Sequence, residues 1–398
     1  MLTATRSAYR LALASPSTSG VVFQKHVQVH RSWSKSRKAN KTHRIPAHMA
    51  TIIPTVKEAD AVELQPLFKF GLISDTQYVD GDDATNFPGT RTRRYRHSLQ
   101  VLERAVKSWN QEQQSDLPIS FVVQLGDAID GKCASMSQSV SAAEDLQRVI
   151  SDCVCSNWHF CIGNHEMYNF STVEWVQRMF PPEQTNSYYD FSPCQGWRVV
   201  ILNSYEVCLM APEDSPERAE ALRILQQNNP NDVIAGSDWF KGVEGFDKRF
   251  VPYNGQFSTT QLQWFAEVLQ SASDNKERVI VACHQPCYIG CTNFSNLPFN
   301  YEETLKLVHS FPGVVVAWIA GHDHDGGYAI DEMGVHHMVP AAPLECVVGE
   351  DAFGHVEVLP DDRGLRVVWS GKLPVKGQWP EILECPPLDS NLQLASSL

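Results

Sequence analysis

The first 57 residues contain no aspartate or glutamate, while Arg6, Arg10, Lys25, Arg31, Lys35, Arg37, Lys38, Lys41, Arg44 and Lys57 are basic. This extension opens on the Ser-, Ala- and Arg-rich "MLTATRSAYRLALASPSTSGVVFQ", the composition of an organelle transit peptide. A basic tail, or an extension upstream of a start at Met49, is the competing reading. The expected location is therefore the cytoplasm, or a plastid or mitochondrion if the extension works as a transit peptide. The chain also lacks any uninterrupted apolar run near the ~18 residues that a membrane span requires, so it reads as soluble. No CxxC pair at zinc-site spacing occurs among its eleven cysteines, and no plain secretory signal precedes them. Free, packed thiols in a reducing compartment are expected. Internal repeats are absent.

What remains after the extension is acidic. The whole chain has 33 basic and 46 acidic residues, and with ten basic ones in the extension the body keeps 23 against 46. Nucleic acid and anionic membranes are held mainly by basic surface, which disfavours both as partners. A small anionic ester stays open if local cations overcome the global field, and a monomer acting on a small molecule is expected.

The body alternates β-branched apolar runs with periodic segments. Strands are predicted at 68–74, 119–125, 159–162, 198–203, 278–283 and 314–320, nearly continuous in hydrophobicity, as for strands covered on both faces. Tyr95, Leu99, Leu102, Val106 and Trp109 fall on one helical face. Ser258 and Gln261 fit a capping box ahead of another helix. This order predicts an α/β fold of packed layers. "GVHHMVP", "GHVEVLP" and "LRVVWSG" predict closing strands. The domain is bounded at 58–373, with an insertion at about 205–255 holding a short helix near 218–227, and 374–398 forms a tail.

The chemistry is read where the strands stop. They end at Asp75, at Asp127 in "LGDAID", at Asn164 and His165 in "GNHEMY", at His284 in "CHQP", and at His322 and His324 in "AGHDHDGG". Carboxyl ends of strands line the ligand crevice of open α/β sheets, so these residues converge. Each alone suits a turn or a satisfied core histidine; five together point to a two-metal hydrolytic centre, with Asp127 as the bridging carboxylate. Asp75 and Gln77, two apart on an extended chain, are expected to point the same way. Two divalent ions held by two carboxylates and otherwise neutral ligands leave a local cation that draws an anionic ester.

"DTQ", "GDAID", "GNHE", "CHQP" and "GHDH" resemble, in order, the signatures of calcineurin-like metallophosphoesterases, over residues 68 to about 370. Gln77 in place of the usual histidine, with "NFPGTRTRRYRHSL", "GNHEMYNFS", "NNPN" and "NGQFSTTQLQWF", resembles the manganese-dependent ADP-ribose/CDP-alcohol diphosphatases within them. The resemblance implies an α+β sandwich, two mixed β-sheets packed face to face and flanked by helices. It implies that one ion takes Asp75, Gln77, Asp127 and His324, and the other Asp127, Asn164, His284 and His322. His165 would then be no ligand but a general acid or transition-state stabiliser.

The implied reaction is hydrolysis of the diphosphate bond in nucleoside diphosphate derivatives, with Mn²⁺ first and Mg²⁺ second, since an amide oxygen at Gln77 is a harder donor than imidazole. Arg91, Arg93, Arg94 and Arg96 are candidates for the second phosphate, and Phe87 for stacking on a base or ribose. Alternatives sharing the metal centre are a monoester phosphatase and a cyclic-nucleotide phosphodiesterase. A metal-free scaffold on the same fold is the non-enzyme alternative.

Overall fold

A computed structural model describes residues 65–86, 89–236 and 238–388. The basic extension, Phe87 and the last ten residues lie outside that description.

Eleven strands build two sheets. In the first, β1 (Phe68–Ile73), β2 (Ile119–Gln124) and β3 (Trp158–Phe160) run parallel. In the second, β4 (Tyr189–Cys194) pairs antiparallel with β5 (Trp197–Ile201), followed by the parallel β6 (Arg278–Ala282) and β7 (Val315–Ile319). The hairpin of β8 (Gly327–Ile330) and β9 (His336–Val339) closes that sheet. The chain then returns to the first sheet with β10 (Ala352–Leu359), antiparallel to β1, and β11 (Gly364–Gly371). The orders are β11-β10-β1-β2-β3 and β8-β9-β7-β6-β5-β4, both mixed. Each of the six predicted strands has its counterpart, within three residues at either end.

The sheets face one another through aromatic side chains. Phe70 stacks on Phe121 with centroids 5.0 Å apart, and Phe121 meets Phe191 of the opposite sheet edge-on at 5.1 Å. Along β6, Ile280 and Ala282 join this central core, while Val279 and Val281 join a second core beneath α6 (Thr259–Asn275). Alternate side chains thus bury on both faces, which is why the strands read as continuous apolar runs. On the first sheet α1 (Tyr95–Glu112) docks Trp109 so closely over Gly71 that a Cβ there would lie 2.8 Å from the indole.

One local expectation changes. Ser258 does accept the Gln261 N–H at 3.0 Å, but the reciprocal half of the box is absent. The Ser258 N–H goes to Glu206, and the buried Gln261 side chain instead brackets the Asn203 peptide, accepting at 2.9 Å and donating at 2.8 Å. The segment after β11 packs back: Leu383 pairs with Leu365, and Arg278 donates to the Pro386 carbonyl. All eleven cysteines are free, nine of them buried. Among the described residues no helix is long and apolar enough to cross a membrane.

Candidate metal centre

The β1–β2 pairing continues past both strands as Asp75 N–H to Gly126 O, Gln77 N–H to Asp127 O and Tyr78 N–H to Ala128 O. It carries Asp75 and Gln77 alongside Asp127. Their backbones are not extended, which corrects the expectation that alternation along a strand aims them. β1 stops at Ile73, and Asp75, Gln77 and Asp127 take φ of 44°, 41° and 55°, with His322 at 70°. These are four of the eight described non-glycine residues in the left-handed region. Such backbone costs about 1–3 kcal/mol per residue and gathers at functional sites. Convergence comes from tight turns.

Packing leaves the turns no alternative. A Cβ on Gly163 would overlap Asp127 Oδ1, and one on Gly126 would lie 2.6 Å from His284 Nδ1. Glu166, fully buried in α3 (Asn164–Asn169), accepts the backbone N–H groups of Asp127 at 2.8 Å, Ala128 at 2.6 Å and Gly163 at 2.7 Å. The His322 N–H donates to the Asp75 carboxylate, and the His165 N–H to Asp127 Oδ1 at 2.8 Å.

Two donor clusters result. One ligand atom each from Asp127, His284 and His322 lie within 4.8 Å of one another, as do those of Asp75, Asp127 and His324. Asp127 belongs to both. Asn164 sits beside them, its Oδ1 3.3 Å from Tyr205 Oη, and Gln77 reaches 2.9 Å from Asp127 Oδ2 and from His324 Nε2. The imidazoles are oriented from outside: His284 Nδ1 faces Leu125 O at 2.8 Å, and His324 Nδ1 faces Glu345 Oε1 at 3.1 Å. Each then turns Nε2 inward, 3.4 Å from Asp127 and 3.6 Å from Asp75 respectively.

The electrostatics suit a cationic guest. Burial pushes the Asp75 carboxyl above its ordinary range. Burial also opposes ionisation of Asp127, but the adjacent His284 and His165 overrule it and hold that carboxyl well below the usual range. Burial and the neighbouring His284 push His322 well below the imidazole range, leaving it neutral. Gln77 Oε1 is buried with no hydrogen-bond partner. Carboxylates, imidazoles and an unpaired amide oxygen are the donor types that divalent ions use, so the residues present fit a pair of ions.

The clusters open into a cavity of about 570 Å³. Of the four candidate arginines, Arg91 and Arg93 line it. Arg91 is engaged by Glu345 and Asp325, whereas Arg93 stands 4.0 Å from Asp130 with its Nε unpaired. Arg94 and Arg96 do not line it: Arg94 bonds the Cys346 carbonyl, and Arg96 is held outside by Asp80 and Asp82. The 205–255 segment, with α5 (Pro216–Asn228), adds Trp239, Phe240 and Tyr253 to the wall. A second cavity, of about 490 Å³ beside Trp158 and Phe160, contains neither donor cluster.

His165 lies over the centre, Nε2 3.9 Å from Asp127 Oδ2. Its Nδ1 receives the Gly131 N–H at 2.8 Å and faces Asp130 Oδ2 at 3.3 Å. Sequence reasoning missed Asp130, Glu166, Glu345 and Asn254. Asp130, Glu166 and Asn254 stand within the quoted "GDAID", "GNHE" and "NGQFSTTQLQWF", where the acidity of the first two and the motif around the third were the available signals; Glu345 carried none.

The calcineurin-like phosphoesterase family profile matches residues 68–326. The manganese-dependent ADP-ribose/CDP-alcohol diphosphatase of Oryza sativa subsp. japonica is 40% identical over 311 residues, covering 78% of this chain and 93% of the relative. The human protein of the same name is 35% identical over 328 residues, covering 78% and 92%. The crystal structure of a dimetal phosphatase from Danio rerio superposes with a TM-score of 0.71 at 33% identity, covering 78% of this chain and 98% of that one. The chain belongs to the calcineurin-like phosphoesterases, and within them to the family of manganese-dependent ADP-ribose/CDP-alcohol diphosphatases.

Proposed function

We propose that the chain hydrolyses the diphosphate bond of nucleoside diphosphate derivatives such as ADP-ribose and CDP-alcohols, CDP-choline and CDP-glycerol among them, giving AMP or CMP and a phosphorylated product. The observation that carries this reading is the pair of donor clusters sharing Asp127 at the floor of a cavity that also presents Arg93. Asp75, Gln77, Asp127 and His324 would hold one divalent ion, and Asp127, Asn164, His284 and His322 the other, with Mn²⁺ preferred and Mg²⁺ second. When bound, such ions polarise phosphoryl oxygens and activate water.

The chain's own residues supply the rest. With Nδ1 accepting from Gly131, neutral His165 carries its hydrogen on Nε2, the nitrogen aimed at the centre. Burial opposes a second proton on this ring, but Asp127 and Asp130 outweigh it and raise its pKa. The His165 Nε2–H can then donate to the departing phosphate, as general acid or transition-state stabiliser. Arg93 is placed to receive the second phosphate. Phe87 keeps its assignment as a stacking residue for the base or ribose, as a proposal.

The protein acts as a monomer on small molecules, without nucleic acid or membrane as partner; light scattering tests the first point. A panel of ADP-ribose, CDP-choline, an aryl phosphate and a cyclic nucleotide, run with Mn²⁺, Mg²⁺ and Zn²⁺ in parallel, tests the rest. The two diphosphates with Mn²⁺ are expected to turn over fastest. Faster hydrolysis of the aryl phosphate or the cyclic nucleotide would overturn the assignment.

A further inference from the structure

Asn254 stands in the "VPYNGQ" turn that ends the insertion, fully buried. All four hydrogen-bonding positions of its amide are used. Nδ2 donates to Arg249 O at 2.8 Å and Ser295 O at 2.7 Å. Oδ1 accepts from Gln285 Nε2 at 2.9 Å and lies 3.0 Å from His322 Nε2. Two carbonyls on one side can face only the NH₂ group, so the amide cannot be turned over, and its oxygen must meet His322. The backbone is pinned as well, because a Cβ on the adjacent Gly255 would overlap the Ser204 carbonyl.

An oxygen acceptor at Nε2 requires His322 to carry its hydrogen there. The lone pair is left on Nδ1, the nitrogen 3.2 Å from His284 Nε2. His284 and His324 do the reverse, bonding Leu125 O and Glu345 through Nδ1. One ring of the three is therefore reversed, and its outer partner comes from the insertion rather than from the sheets.

We infer that Asn254 is a positioning residue, which fixes the tautomer of His322 and makes Nδ1 the nitrogen offered to a metal ion. Partners of this kind change metal affinity by about 10–100-fold when removed. The inference rests on the proposed metal centre and gives the insertion a part in building it, beyond forming the cavity wall.

The test uses the full chain with ¹⁵N-labelled histidine. Long-range ¹H–¹⁵N spectra of the metal-free protein read the His322 tautomer, assigned by loss of its signals in His322→Asn, and calorimetry reads Mn²⁺ binding. Wild type is expected to show His322 as Nε2–H and to bind two ions. Asn254→Ala is expected to lose the pure Nε2–H signature and to weaken one ion by about 10–100-fold, leaving the other. Asn254→Asp loses both donors but keeps an acceptor toward His322, so it should retain the tautomer even where its melting temperature falls. An Nδ1–H ring in wild type overturns the inference whether or not the variants fold, as does an alanine variant with unchanged tautomer and both affinities. Wild-type protein that takes up no Mn²⁺ overturns the metal-centre reading and the inference with it, whereas two tight ions bound without diphosphatase activity would overturn only the substrate assignment.

Discussion

Glu166 Oε2 accepts the Asp127 N–H at 2.8 Å and Oε1 the adjacent Ala128 N–H at 2.6 Å, so one carboxylate clamps the turn that presents Asp127 to both donor clusters. Glu166→Gln sets an amide NH₂ against backbone donors in a buried place. An unsatisfied buried group costs about 1–3 kcal/mol. The variant should melt lower and bind both ions more weakly in calorimetry; a native melting point with full Mn²⁺ affinity would show that the clamp is dispensable.

His165 lines the cavity beside Asp127 but belongs to neither donor cluster. His165→Ala should lower kcat by about 10²–10⁴ with metal content unchanged by elemental analysis. Full turnover in that variant would remove His165 from proton transfer.

Gln77 and neutral histidine carry the same charge, so Gln77→His alters donor hardness and leaves electrostatics alone. Activity ratios measured with Mn²⁺ and Zn²⁺ should move toward Zn²⁺. A rise with Mn²⁺ and no gain with Zn²⁺ would contradict the role given to the amide.

Arg93 and Arg96 stand three residues apart and point to different places. Arg93→Ala should raise KM for ADP-ribose by roughly 10–100-fold, the worth of a charge-assisted hydrogen bond, whereas Arg96→Ala should leave it unchanged. Equal effects at both positions would mean that the arginines act as a general basic field.

Away from the centre, Asp331 receives hydrogen bonds from His309 and His337 at 2.8 and 2.9 Å and from two backbone N–H groups. Burial opposes its ionisation, yet the bonds from His337 and His309 prevail and hold the carboxyl below its ordinary range. A depressed folded value means stability present above the unfolded pKa, about 3.9, and lost as pH falls through the folded one. Asp331→Asn should therefore destabilise by about 1–3 kcal/mol at pH 7. In denaturant melts the gap to wild type should shrink below about pH 4; a gap constant from pH 7 to 3 would place the effect elsewhere.

The sequence made the strands and their metal-capable ends legible because each apolar run breaks at a polar residue. It did not show how those ends aim, since an aspartate in the left-handed region is written like any other. Nor did it separate Arg93 from Arg96: both sit in one basic run, and only the acids at Asp80 and Asp82, folded back against the helix, draw Arg96 away. Glu345 and Asn254 lie 21 and 68 residues from the histidines they orient. Spacing along the chain carries no trace of such contacts.

The left-handed backbones of Asp75, Gln77, Asp127 and His322 bear on how portable the centre is. A grafted loop holding "GDAID" or "GHDH" would relax into ordinary turn geometry, and its donors would splay. What must travel with the letters is the enclosing scaffold: the lengthened β1–β2 ladder, Glu166, and glycines whose missing side chains make room. A designer building this centre elsewhere would specify dihedral angles first and donor residues second.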